Sequence, residues 1–469
     1  MNMTDKEISN SKSFRINEEY VFVVVALLFG ILFVFLNPPF QSVNEDGHFL
    51  SAFVRSEGQI IPEKSGEEIG FMMPRSLIQT SKAFQNINFA AEEKISQQTV
   101  DNYAKIKLNK NERVFYNLPE YRFNPIAYIP NMAGITAGKI FNSNPLYLLW
   151  SSRIAGLAFY IIIVFFAIRI IPFFKGVLLL FAVSPMTLYQ AVSISPDSLS
   201  ISLSFLIFAM ILKMTYNYGH IEAKDIIWLV IVCFFQRFAG DGYYFIPFLI
   251  LMVSKSKFKN PITYYLILAY FVLLIFLPGL SWDAILSNAG FTGGAQVRTD
   301  FMTDSSKNLA YQLSHPFQTF GNIFMNIFSQ GKSWLLGSFG NFGYAGAMPS
   351  QFLIVIHILV ILTAALFNGS KDIILTAKIK YTSLIIGIIS LLAVMLVFLI
   401  SGSPVGSNVI YGLRGVYFIP VMPLLILVIY NNAFRNDIFD KYSGLILGVY
   451  SIIILSITAG FINSYFYAG

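Results

Sequence analysis

The sequence predicts an all-α polytopic membrane protein with about eleven transmembrane helices, in a range of about ten to thirteen. Three observations predict it. Of the 469 residues, 55% are hydrophobic and only 12% are charged, whereas a soluble protein of this length carries about 25% charged residues in its polar skin. The apolar residues come in blocks of about 18–24, long enough for a helix to cross a hydrocarbon core of ~30 Å. A β-barrel would instead alternate over strands of about ten residues. Finally, the cations sort by loop, so the net charge of +7 is a topology signal and not a nucleic-acid patch.

The first apolar run, 20–37, has no small-residue cleavage site behind it and reads as a retained anchor. Further runs follow at 146–168, 176–193, 197–215, 226–238, 242–254, 262–280, 351–367, 379–400, 411–430 and 443–463. The pair between 226 and 254 is too short for two full spans. Gln236–Gly242 divides it into a hairpin of short helices with a candidate re-entrant tip, tolerated at membrane depth only against protein or a wet cavity. The single cysteine, Cys233, lies inside this pair and excludes an internal disulfide framework or a Cys-based metal site.

With the N-terminus inside, the short inner loops hold Arg169, Lys175, Lys213, Lys224, Lys255, Lys257, Lys259, Lys371, Lys378, Lys380, Arg435 and Lys441. The expectation is a multi-pass cell-membrane protein with a cytoplasmic N-terminus and an extracytoplasmic C-terminus. One membrane domain, 1–469, then carries two large extracytoplasmic loops, 38–145 and 281–350. The first loop is polar over 57–113, as in a small cap. Behind it, Tyr121–Phe141 is apolar but broken by Pro125, Pro130, Gly134 and Gly138. As a further span it would flip every later loop, so it reads as an amphipathic helix on the outer surface. A similar surface helix is expected within Ser314–Leu336.

The polar residues at the outer ends are the candidates for chemistry. Glu45, Asp46 and His48 follow the rigid exit Pro38-Pro39. Solvated charge, or an Asn44 cap with Asp46 at the helix dipole, would explain carboxylates there; capping needs one side chain and does not ask for His48. Asp197 follows Pro196 at a helix start, where a dipole role is natural. It nevertheless lies on the same side as Glu45 and Asp46, and an acid at the membrane boundary is a functional candidate. Arg237, close to Asp241, and Arg414 also face outward. They pair locally or snorkel to headgroups, or they clamp a phosphate through bidentate bonds. No nucleotide-type glycine loop, HExxH or GxSxG competes. Two arginines and several carboxylates on one lipid-accessible side suggest an anionic lipid-linked substrate and acid–base chemistry.

This order of features resembles the GT-C superfamily of integral-membrane glycosyltransferases. Those proteins have a first span, a large outer loop opening with an acidic motif, a proline-bearing surface helix, and a second acid before the fourth span. More narrowly, the chain resembles a bacterial branch of membrane proteins marked by Pro-Asp-Glu-x-x-His-Phe after the first span, here Val43-Asn44-Glu45-Asp46-Gly47-His48-Phe49. The branch's Asn-Pro-x-x-Tyr is matched by Asn124, Pro125 and Tyr128. Its Ser-Pro-x-x-x-x-Gln and Ser-x-Ser-Pro-Asp are matched by Ser184, Pro185, Gln190, Ser193, Ser195, Pro196 and Asp197. Its Gly-Arg-Tyr-Phe-x-Pro is matched by Gly415, Tyr417, Phe418 and Pro420. Asn44 stands where the branch carries aspartate, which moves the expected acid to Glu45 and then Asp46. Val416 stands where it carries arginine, and Arg414 is the nearby substitute.

The resemblance implies transfer of a sugar from a polyprenyl-phosphate donor to a cell-envelope glycan, lipid or protein on the extracytoplasmic face, with inversion. Glu45 or Asp46 would be the base, with His48 and Asp197 orienting. Arg414, Arg237 and Tyr417 would bind the donor phosphate, and membrane lipid would surround the site. Members of the superfamily differ in metal use, so a divalent ion is left open, with Glu45, Asp46 and Asp197 as its ligands if one is present. The rival classes are a lipid-linked glycan transporter or flippase, which needs polar groups near mid-bilayer, and a non-catalytic subunit of an envelope polysaccharide assembly system.

Overall fold

The computed structural model describes residues 16–84, 94–141, 144–240, 242–276, 282–291, 296–298, 301–344, 346–368, 373–431 and 433–468. The first long helix, α1 (Glu18–Leu36), is apolar after Glu18 and Glu19 and stops at Asn37, because Pro38 and Pro39 cannot continue it. A tight corner follows in which two non-glycine residues, Phe40 (φ 61°) and Asn44 (φ 57°), are left-handed. Asparagine tolerates this conformation; Phe40 does not do so readily. It is held there fully buried, packed on Phe49 and Phe84.

The corner opens α2 (Glu45–Ser56). Next comes an antiparallel sheet in the order β1 (Glu63–Ser65), β2 (Glu68–Pro74), β3 (Arg113–Asn117), with α3 (Arg75–Lys82) and α4 (Gln97–Tyr103) between the last two strands. The register of β2 on β3 runs from Gly70 opposite Asn117 to Pro74 opposite Arg113. Two 3-10 turns, Pro119–Arg122 and Pro125–Tyr128, lead into α5 (Ile129–Phe141). The apolar stretch from Tyr121 is therefore helical only in its second half. Its prolines sit where a missing N–H costs little, Pro125 at the first position of the second turn and Pro130 as the second residue of α5.

The bundle itself contains α6 (Pro145–Ile170), α7 (Lys175–Ala182), α8 (Pro185–Ala191), α9 (Pro196–Tyr216), α10 (Ala223–Ala239) and α11 (Pro261–Phe276). After α12 (Trp282–Asn288), hairpin β4 (Gln296–Arg298) and β5 (Phe301–Thr303), α13 (Ser305–Ser314) and α14 (Pro316–Gly337), it resumes with α15 (Gln351–Phe367) and α16 (Ala377–Ser401). The chain ends with α17 (Met422–Ile426) and α18 (Asp437–Phe466). Among the described residues, five helices are long and apolar enough to cross a membrane: α1, α6, α9, α16 and α18; α11 and α15 are shorter apolar helices.

Three of the apolar runs depart from single α-helices. The run 176–193 is split into α7 and α8 at Ser184-Pro185. The run 242–254 is a 3-10 segment, Ile246–Met252, opening with Pro247 as its second residue, so only one arm of the expected hairpin is α-helical. The run 411–430 is a 3-10 turn, Gly415–Phe418, then the five-residue α17. Its prolines remove the donors a continuous helix needs.

The ends of the bundle differ in charge. At one end, Lys175 meets Glu19, Lys213 meets Asp225, and the Lys257 ammonium caps the last carbonyls of α9 on Met214, Thr215 and Asn217. At the other end, the sheet and α2–α5 form a cap over the helix termini. Ile95 of the cap pairs with Tyr467 at the end of α18. One apolar core runs along the bundle from Val21 to Phe466, and a second, from Phe40 to Leu286, lies under the cap. On α14, Phe317, Phe320, Phe324 and Phe328 form an exposed stripe at helical spacing.

Candidate active site

The corner after α1 separates the two neighbouring acids. Glu45 is fully buried and forms a two-pronged ion pair with Arg153 of α6, Nε to Oε1 at 2.8 Å and Nη2 to Oε2 at 2.5 Å. The same guanidinium donates to the carbonyls of Val34, Asn37 and Pro38 at 2.7–3.0 Å. All five of its N–H donors are thereby used. The backbone N–H of Ile194 also reaches Glu45 Oε1, at 3.2 Å. Glu45 thus ties the end of α1, the middle of the cap-side core and the α8–α9 turn together. Three of the carboxylate's about four acceptor sites are filled, and its full burial keeps it from an incoming hydroxyl. Nor does Asn44 cap α2: its Oδ1 accepts from the Tyr344 hydroxyl at 2.9 Å, and its backbone N–H donates to that same hydroxyl at 2.5 Å.

Asp46 faces the opposite way. It is partly exposed in the first turn of α2 and acts electrostatically on Tyr116 of β3 and on Glu120. Burial, with the charge of Asp46 added to it, pushes the Glu120 carboxyl up to about 7. The same two influences, joined by Glu120, push the Tyr116 hydroxyl up to about 12. Glu120 occupies its place because residue 47 is glycine: a Cβ there would lie 2.2 Å from the Glu120 carboxyl carbon.

His48 points beneath this pair. Its Nδ1 meets the Tyr128 hydroxyl at 2.6 Å, and the edge of its ring meets Phe123. Burial, and secondarily Arg55, pulls His48 down to about 3, so the ring is neutral. Arg55 is buried as well. It donates to Ser51 Oγ and to the carbonyls of Tyr121 and Phe123, and its guanidinium lies over the Tyr128 ring. His48 and Arg55 therefore fix the loop that carries Glu120 and the Asn124–Tyr128 turn onto α2.

Asp197, half-buried at the start of α9, accepts from Gln190 Nε2 at 2.8 Å. Its own N–H donates to the capping Ser195 hydroxyl. Arg414 interacts electrostatically with Asp197 and donates to the carbonyl of Gly343 at 2.8 Å. The turn containing Gly343 (φ 67°) packs on the backbone of Gln41, and its Tyr344 holds Asn44. This turn links Arg414 to the corner bearing Glu45 and Asp46. The described hydrogen bond and ring contact of Arg237 lie elsewhere: its Nε donates to the Leu274 carbonyl and its guanidinium covers Tyr244. Asp241 lies outside the described residues. Tyr417 packs on Phe398 and accepts from the Tyr243 hydroxyl through its carbonyl. Glu45 is committed to Arg153, and among the described residues no group of three or more His, Cys, Asp or Glu side chains is gathered to hold a metal. Glu45, Asp46 and Asp197, named as ligands if a divalent ion is present, are not gathered in one such group.

Two residues were missing from the sequence reading. Arg153 had a visible signal: a cation inside an apolar run is costly and demands a buried anion. Glu120 had a weaker one, its place four residues before the Asn-Pro-x-x-Tyr motif. Comparison with curated proteins and with solved structures finds no match for this chain. A family model does match, over residues 27–425, most of the length and all of the candidate site residues above. The chain belongs to the family described as predicted membrane protein (DUF2142).

Proposed function

We propose that this membrane protein is a glycosyltransferase that moves a sugar from a polyprenyl-phosphate donor to a cell-envelope acceptor on the extracytoplasmic face, with GT-C-like architecture. The chain crosses the membrane eleven times. The crossings are α1, α6, α7–α8, α9, α10, the 242–254 segment, α11, α15, α16, the 411–430 segment and α18. The three crossings made of short pieces are largely buried against protein, which is where non-helical backbone is tolerated at membrane depth. The end carrying Lys175, Lys213 and Lys257 is cytoplasmic and the cap is outside.

One observation carries the functional reading. At the capped end, a carboxylate pair with one member near neutrality stands on the same corner that a single turn connects to Arg414 and Asp197. An alcohol attacks only when a positioned base takes its proton as the new bond forms, and a base serves best with a pKa near the working pH. In this reading the Asp46–Glu120 pair accepts the acceptor's proton. The acceptor oxygen bonds to the anomeric carbon as the bond to the phosphate oxygen breaks, and the centre inverts. Arg414 meets the charge growing on the leaving phosphate, and Asp197 with Gln190 holds the sugar hydroxyls. Glu45 is a positioning residue.

The test is mass spectrometry of envelope glycans from cells carrying Asp46→Asn, Glu120→Gln or Asp197→Asn. At normal membrane levels, the first two are expected to reduce transfer by about 10²–10⁴-fold. Wild-type transfer in all three would reject the site.

A further inference from the structure

A second feature lies apart from the corner, on α14. Phe317, Phe320, Phe324 and Phe328 are 58–92% exposed; Leu335 extends their arc, and Leu313 carries it back onto α13. No Asp, Glu, Lys or Arg stands between Lys307 and Lys332. A surface facing water rarely leaves so large an apolar ridge bare. The polar residues of α14 turn elsewhere. Thr319 and Asn326 are buried against protein, and Ser329 and Ser333 form an exposed polar flank.

The helix has 22 residues, so at ~33 Å it is long enough to cross a bilayer. Its bonds exclude that. Just before it, Asn308 donates to the carbonyls of Leu399 and Ser403 at the end of α16 opposite Lys378 and Lys380. Midway, Asn326 Nδ2 donates to the Asn408 carbonyl at 2.7 Å, and its Oδ1 accepts from the Ile410 N–H at 3.1 Å. Just past it, Ser338 Oγ donates to the Gly415 carbonyl at 2.8 Å, and the preceding Arg414 reaches the Gly343 turn. Start, middle and end are thus all tied to the capped end of the bundle. The helix lies across that end, along the membrane plane, with one flank apolar and the other polar. Such a helix sinks its Phe and Leu side ~5–10 Å into the boundary between headgroups and acyl chains. Exposed Lys332, at the edge of the arc, has the reach to snorkel to the headgroups.

We propose that α14 is an in-plane anchor whose aromatic face is held by the acyl chains of the leaflet at the capped end, so that membrane lipid fixes the height of segment 407–415 and of Arg414. The occupant is lipid and not a second copy of the chain, because the bare arc stands at the level where the crossing helices meet the headgroups. The placement does not rest on sugar transfer.

The experiment uses the full-length protein in the Cys233→Ser background, in vesicles of phosphatidylethanolamine and phosphatidylglycerol. Single nitroxide labels are placed at Phe317→Cys, Phe324→Cys, Phe328→Cys and Leu335→Cys, and on the polar flank at Ser329→Cys and Ser333→Cys. Power saturation compares collisions with oxygen, which concentrates in hydrocarbon, and with a water-soluble nickel chelate. The four apolar positions are expected to favour oxygen and to agree in depth to within one helical turn, ~5 Å, and the two serines to favour nickel. A depth difference of about 27 Å between 317 and 335 would make α14 a crossing. Nickel access at all six positions would put the ridge in water. Exclusion of both reagents from the four apolar positions would mean that protein covers it, a second copy included. Each of these three results overturns the proposal. The link to segment 407–415 is read in Phe320→Gln with Phe324→Gln, or in Phe324→Gln alone if the pair lowers the melting temperature. Labels at Phe328→Cys and Val409→Cys are both expected to gain nickel access; unless both do, the link is overturned.

Discussion

Glu45 and Asp46 are neighbours in opposite surroundings, and the difference follows from which face of α2 each occupies. Removing one partner of a buried ion pair leaves an uncompensated charge, at a cost of about 3–5 kcal/mol. Glu45→Gln is therefore expected to lower melting temperature and membrane yield by that order, whereas Asp46→Asn melts close to wild type and loses transfer. The double variant Glu45→Leu with Arg153→Met should not recover stability, although many buried pairs tolerate apolar replacement. Arg153 also satisfies three carbonyls around the end of α1, and each carbonyl left unpaired costs about 1–3 kcal/mol. Full recovery in the double variant would show that the pair does nothing for the corner beyond neutralising itself. The site also predicts an unusual response to pH. Glu120 titrates at about 7, above the ordinary 4.5, so the folded state holds the extra proton and this contribution to stability is lost as pH rises through 7. His48 titrates at about 3, below the ordinary 6.5, so its contribution is lost as pH falls from 6.5 towards 3. Between roughly pH 4.5 and 6.5 the two slopes oppose each other. In melting series across that range, Glu120→Gln should become acid-sensitive and His48→Gln should gain stability on acidification, by on the order of 1 kcal/mol per pH unit. Parallel curves for both variants and wild type would remove either group from the balance.

At the scale of elements, glycine contacts separate a fold requirement from a functional one. At Gly47, the atoms nearest to an added Cβ are the far end of the flexible Glu120 side chain, which can swing away. Alanine also favours the helix by up to about 1 kcal/mol over glycine. Gly47→Ala should thus melt at or above the wild-type temperature while losing sugar transfer, because Glu120 is displaced from Asp46. At Gly415 an added Cβ would meet the backbone of Trp334 and Ser338 at 2.2–2.3 Å, and neither can yield. Gly415→Ala should therefore separate the 3-10 turn from α14 and reduce folded protein. If Gly47→Ala retains full transfer, the carboxylate pair is not the base. These contacts also mark what was legible in the sequence. Helices α1, α6, α9, α16 and α18 could be read directly, since each is one long apolar run. The splitting of 176–193, 242–254 and 411–430 was less legible, because hydropathy measures side chains while the break depends on backbone hydrogen bonds. Pro185, Pro247, Pro420 and Pro423 signalled it, together with the shortness of the pair between 226 and 254. The acidic corner was legible as a cluster. Which acid turns inward was not, because that is decided by Arg153, 108 positions from Glu45.

At the scale of the whole molecule, the sorting of charge and the folding of the cap make the same statement about direction. Inner-loop cations assigned by sequence, such as Lys175, Lys213, Lys257 and Arg435, gather at one end of the bundle. The cap closes over the other, where Ile95 pairs with the end of α18. Positive charge is retained on the cytoplasmic side during insertion, so the capped end should face outward in the cell. The chain makes this simple to measure, because its one cysteine, Cys233, is buried. In a Cys233→Ser background, single cysteines at exposed positions report their side through a membrane-impermeant maleimide. Glu63→Cys in the cap and Lys307→Cys in the second large loop should label in intact cells. Lys224→Cys and Lys378→Cys at the basic end should label only after permeabilisation. The pair Lys307 and Lys378 is the more demanding, because α15 alone separates them among the described helices assigned as crossings. If both label from outside, α15 does not cross and the count of eleven fails. If all four positions label with the sides exchanged, the bundle is inverted, and the Asp46–Glu120 pair would then face a compartment supplied with nucleotide sugars, removing the reason for a lipid-linked donor.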